Sequence, residues 1–109
     1  MPERVERGAL TEAVYYILLS VYEPLHGYGI MQKVTLFSRA RVNLAPGTLY
    51  GAITTMLEKN WIQLHDEGSS GRKKEYIITD LGKEVVEAEI ERLEELLHNG
   101  KEISGGRQI

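Results

Sequence analysis

The sequence predicts a mainly α domain that carries one small β-hairpin and ends in a long helix. Three observations carry this prediction. Apolar residues recur at helical spacing in three successive segments of the first half; the period then switches to two on either side of a Gly/Ser-rich turn; and a glutamate-rich stretch of helical period follows.

Leu10, Val14, Ile17, Leu18 and Val21 recur at i, i+4, i+7, i+8 and i+11, an amphipathic helix that must end before Pro24. Ile30, Val34 and Phe37 mark a second helix, opened by the Gly-rich turn "HGYG". The third helix lies in "APGTLYGAITTML". Pro46 suits its first position, where a missing N–H loses no partner, and Leu49, Ile53, Met56 and Leu57 form its buried stripe. Asn60 can close it in the left-handed conformation. Ile62 and Leu64 alternate, and Tyr76 and Ile78 answer them across the turn, as a hairpin with a basic tip. Thr79 or Asp80 can cap the last helix, in which Val86, Ile90, Leu93 and Leu97 are spaced 4, 3, 4 on one side. Three helices and a hairpin leave little apolar surface to cover these four positions, which favours a partner helix. The expected organisation is a domain over 1–79, a dimerisation helix over 80–99, and a disordered tail over 100–109.

A chain of 109 residues, 42% of them hydrophobic, suits one compact core. With no cysteine, disulfides, thiolate catalysis and cysteine zinc sites are excluded. No run approaches the roughly 20 apolar residues of a membrane span, and the polar start "MPERVERG" lacks the apolar segment of a secretion signal, so a cytoplasmic protein with no membrane partner is expected. The net charge of −3 taken alone argues against nucleic acid. Its distribution reverses that reading. Residues 1–80 hold nine Lys/Arg and nine Asp/Glu, whereas residues 81–109 hold four and seven, so the whole deficit lies in the last quarter. From Lys33 to Lys74 the seven basic residues Lys33, Arg39, Arg41, Lys59, Arg72, Lys73 and Lys74 face Glu58, Asp66 and Glu67 only.

The order of elements is that of a winged helix-turn-helix with an appended long C-terminal helix. It also explains why the third helix contains two glycines and three threonines, residues that weaken helices in water. A helix that enters the DNA major groove brings its first turns close to phosphates and base edges, where small residues, hydroxyls and free N–H groups are useful. Gly47 and Gly51 permit close approach, and Thr48, Tyr50, Thr54 and Thr55 offer hydroxyls opposite the apolar stripe. With Lys33 on the second helix and Arg72, Lys73 and Lys74 at the hairpin tip, these are the predicted DNA contacts.

The strings "HGYGI", "LAPGTLYGAITTMLEKNWI" and "GRKKEYIITDLGKEV" resemble, in order and spacing, the PadR family of bacterial transcriptional regulators over roughly residues 9–98. The resemblance implies a homodimeric winged-helix repressor of an inverted-repeat operator, with Leu10, Val86, Ile90, Leu93 and Leu97 at the dimer interface. It also implies release by a small aromatic or drug-like effector, for which Tyr15, Tyr16 and Tyr22 are the candidate pocket. The chain departs from the family pattern at Ala45, where serine is usual, and at Asn60, where glycine is usual.

Other chemistry finds little support. His26, His65 and His98 lack ligand spacing, so neither a metal nor a cofactor is expected. "GYG" lacks the lysine and the strand-to-helix setting of a phosphate loop, and no nucleophile can be paired with a base, which argues against an enzyme. The alternative to a DNA-binding regulator is a winged-helix protein-interaction module, in which the basic hairpin would be incidental.

Overall fold

The computed structural model of the chain describes residues 8–65 and 74–105. Its order is α1 (Glu12–Ser20), β1 (Leu25–His26), α2 (Gly27–Phe37), α3 (Pro46–Glu58), β2 (Ile62–Leu64), β3 (Glu75–Ile78) and α4 (Asp80–Ser104). The predicted fold class is the observed one: four helices, the last of them long, and a small antiparallel sheet.

Local chemistry sets most boundaries. Thr11 caps α1 by accepting from the Val14 amide, and Thr79 caps α4 by accepting from the Gly82 amide. At the end of α3, Asn60 takes φ 67°, its amide donates to the Leu57 carbonyl, and the Trp61 amide donates to the Met56 carbonyl, which together make a Schellman closure. The α2–α3 turn is tighter. Arg39 and Ala40 both lie at positive φ, and the buried Ser38 hydroxyl accepts from the Val42 amide at 3.0 Å, which holds the turn closed.

The hairpin anticipated from the alternation is present, in the register Ile62↔Ile78 and Leu64↔Tyr76. A third strand was not anticipated. β1 pairs with β3 (Leu25↔Tyr76, His26↔Glu75), so the strand order is β1-β3-β2. Two residues are too few to show a period, and only the sheet's open edge recruits them.

The core gathers Ile17, Leu18 and Val21 of α1 and its end, Ile30 and Val34 of α2, Leu49, Ile53 and Met56 of α3, Ile62, Tyr76 and Ile78 of the sheet, and Val85 and Val86 of α4. Two expectations are corrected by this arrangement. Val86, expected at the dimer interface, is 1% exposed inside the chain's own core, because the first turns of α4 lie against the sheet and α1. Residues 100–104, expected in a disordered tail, continue α4 to Ser104. The isolated Gly100 costs that helix only about 1 kcal/mol against alanine, and helix-forming Lys101 and Glu102 follow it. No helix among the described residues is long and apolar enough to cross a membrane.

Candidate nucleic-acid interface

α3 is built with two unlike faces. Leu49, Ile53 and Met56 point into the core, while Gly47, Thr48, Tyr50, Gly51, Thr54 and Thr55 are exposed. Pro46 has no N–H to leave unpaired, and Ala45 offers no side-chain acceptor to the first-turn amides, so the helix start presents unshielded N–H groups. Among the described residues, a Cβ added at Gly47 or at Gly51 would meet nothing within 4 Å. Packing against those residues therefore gives no reason for glycine at either position. The Thr54 hydroxyl donates to the Tyr50 carbonyl and the Thr55 hydroxyl to the Gly51 carbonyl, which leaves both oxygens able to accept from outside.

Tyr50 is less simple than its neighbours. Its side chain lies across the first residue of α2, where an added Cβ on Gly27 would fall 2.1 Å from the Tyr50 hydroxyl oxygen. The residue is nevertheless 46% exposed, so the ring has one face on α2 and the other toward solvent. Burial, and then Tyr50, push the Tyr76 hydroxyl above its ordinary pKa. α2 begins where His26 accepts from the Gly29 amide through Nδ1 at 3.2 Å, a histidine cap that the sequence reading did not anticipate.

Of the other predicted contacts, Lys33 is exposed on α2 and Lys74 is exposed where the chain enters β3. Arg72 and Lys73 lie outside the described residues.

The remaining predicted sites fall on the α1–α4 side. Leu10 is half-buried against the core, and Ile90, Leu93 and Leu97 of α4 are exposed, joined by Leu96. Tyr15 and Tyr16 are brought together, with ring centroids 5.8 Å apart, along an open groove of about 260 Å³ lined also by Leu10, Glu12, Glu89, Arg92 and Leu93. Tyr22 does not line it. Its ring instead lies 5.9 Å from the Lys83 ammonium, because α1 ends at Ser20 and the chain turns away.

The sequence reading missed the charged pair in that groove. Glu89 is 4% exposed and is held by the Arg92 guanidinium through two bonds, 2.9 Å from Nε and 2.6 Å from a terminal nitrogen, while the Leu10 amide donates to it at 3.4 Å. The Arg92 hydrogen bonds hold the Glu89 carboxyl below the usual carboxylate range, outweighing the opposing effect of burial. Burial, followed by Glu89 and Tyr16, pushes the Tyr15 hydroxyl upward. Glutamates at i, i+3 from arginine are ordinary on a helix surface, so spacing alone could not single out Glu89. Glu12 at the groove's rim also pairs with Arg41 of the α2–α3 turn.

Residues 16–88 match the model of the transcriptional regulator PadR-like family. Among solved structures, the chain is similar to a PadR family transcription regulator from hypervirulent Clostridium difficile, at 28% identity and TM-score 0.64, covering 81% of this chain and 94% of that one. It is also similar in fold to a PadR-like transcriptional regulator from Bacillus cereus, at 22% identity and TM-score 0.68, covering 88% of this chain and 92% of that one. Among curated proteins none matches the chain.

Proposed function

The chain belongs to the PadR-like family of transcriptional regulators, and from that premise we propose that it is a repressor which binds an inverted-repeat operator as a homodimer through α3 and the wing. The observation that supports this most directly is the two-faced α3: a core stripe of Leu49, Ile53 and Met56 backs an outer face of Gly47, Thr48, Gly51 and Thr54, whose glycines answer to no contact among the described residues. Thr48 and Thr54 hydroxyls and the uncapped first-turn amides are suited to base edges and phosphate oxygens; the exposed Lys33 and Lys74 are suited to phosphate.

Dimerisation accounts for the exposed row Ile90, Leu93, Leu96 and Leu97, four large apolar side chains on one long helix, which a second copy would cover. A two-fold axis there would set two α3 helices into successive major grooves, about 34–36 Å apart or a multiple of that. The groove beside it, with Tyr15 and Tyr16 on one wall and the Glu89–Arg92 pair on the other, is the place for an aromatic effector.

In vitro selection of duplex sites with the purified protein, followed by titration at 50 and 200 mM salt, tests the proposal. The expected result is an inverted repeat, bound more tightly than random duplex, with an affinity that falls steeply as salt rises. No enriched repeat and no salt slope would refute DNA recognition and support a protein-interaction module.

A further inference from the structure

Tyr50 joins α3 to the start of α2, where its ring covers Gly27, the residue directly after β1. The β1–β3 pairing brings these parts together, because Leu25 opposite Tyr76 and His26 opposite Glu75 deliver Gly27 to the sheet edge. The buried α3 residues Leu49, Ile53 and Met56, with Ala52 and Leu57 packed against the core, hold the helix from its inner face. Tyr50 grips it from the outer, solvent side.

We infer that the Gly27–Tyr50 contact is a positioning device: a residue without a side chain on α2 seats the Tyr50 ring and thereby fixes the recognition helix and the wing in one orientation toward DNA. The inference rests on the proposed role of α3 and adds a residue, Gly27, that touches no DNA itself. The geometry leaves no room for a side chain at that position. A Cβ on Gly27 would lie 2.1 Å from the Tyr50 hydroxyl oxygen, 2.8 Å from Cζ and 3.2 Å from Cε1, so any other residue must expel the ring. The atoms in conflict belong to the outer end of a half-exposed side chain, which can swing away without moving the backbone. Gly27→Ala should therefore fold and yet lose the seat.

The test is a double-mutant cycle read in DNA affinity, with the selected operator duplex and a random duplex of equal length as probes. In the Tyr50 background Gly27→Ala should weaken operator binding by about tenfold, a loss of about 1.4 kcal/mol, and random-duplex binding by less than about twofold, because phosphate contacts tolerate small rotations and base contacts do not. In a Tyr50→Ala background, where no ring needs the seat, the same substitution should change operator affinity by less than about twofold. Equal losses in both backgrounds, or equal losses on both duplexes, would overturn the inference while leaving α3 as the reading helix. If Gly27→Ala alone melts at assay temperature, the double variant decides: recovery of the melt to that of Tyr50→Ala supports the contact, and continued failure overturns it. A Thr48→Ala control that leaves operator affinity unchanged would overturn the recognition-helix reading and the inference with it.

Discussion

Two glycines with opposite surroundings give a sharp test of how α3 and α4 are held. In an exposed helix, glycine to alanine stabilises by about 1 kcal/mol through backbone entropy alone. At Gly82, in the first turn of α4, the added Cβ would fall 2.1 Å from the Trp61 carbonyl oxygen and 2.6 Å from Ile78 Cγ1, where ordinary contact begins at 3.4 Å. The missing clearance to Trp61 is thus 3.4 − 2.1 = 1.3 Å. Trp61 cannot yield that distance freely, because its carbonyl accepts from the Thr79 amide at 2.9 Å and the Thr79 hydroxyl at 3.0 Å. Overpacking costs about 1–3 kcal/mol and each hydrogen bond lost about 1, so after the propensity gain Gly82→Ala should destabilise by about 2–4 kcal/mol, or roughly 10–30 °C in Tm. Gly51→Ala should do the reverse. Among the described residues nothing lies within 4 Å of its Cβ, so folding should gain about 0.5–1 kcal/mol while operator affinity falls, since the new methyl stands on the face proposed to approach DNA. Urea unfolding followed by circular dichroism, at one protein concentration because a dimer's stability depends on it, measures both changes. A Gly82→Ala protein as stable as wild type would refute the rigid junction between α4 and the sheet. A Gly51→Ala protein with undiminished operator affinity would refute the close approach.

The corrected seam predicts different fates for neighbouring residues: Ile90→Glu should yield a folded monomer with little operator affinity by sedimentation and titration, whereas Val86→Glu should fail to fold because it places a charge in the core. Leu49→Ala should cost about 2–5 kcal/mol as a core truncation, while exposed Thr48→Ala should leave the melt unchanged and weaken operator binding. Glu89 should make stability depend on acid. Arg92 depresses its folded pKa below the unfolded value of about 4.3, so the stabilisation is complete above that value and lost as pH falls through the folded pKa. Urea midpoints from pH 7 to pH 3 should therefore drop less in Glu89→Gln than in wild type, and parallel curves would disprove the linkage.

Local signals carried much of this molecule. The spacing of Leu49, Ile53 and Met56 oriented α3 before any coordinates, because a period of 3.6 residues permits only one buried face. Pro46, Asn60 and Thr79 marked boundaries through properties of single residues: a missing donor, a tolerated positive φ, a hydroxyl three positions before an amide. The alternation of Ile62 and Leu64 with Tyr76 and Ile78 marked the hairpin, though not its register, because Leu64 is exposed while its partner Tyr76 is buried.

What only the tertiary structure decided has no local period. β1 is two residues long and exists because β3 has an open edge within reach of the turn before α2. Val86 and Ile90 look alike on a helical seam, yet one is buried and the other exposed, because what α1 and the sheet cover on α4 is set by the packing of distant segments. Gly82 and Gly51 are the same residue in opposite surroundings: the packing of α4 on Trp61 fills the space beside one, and none of the described residues fills the space beside the other. A sequence specifies which faces are apolar and where a backbone can turn, but what stands opposite each face depends on residues distant along the chain. For that reason the fold and α3 were legible in the residues, whereas the Gly27–Tyr50 seat and the Glu89–Arg92 pair became visible only when the chain closed on itself.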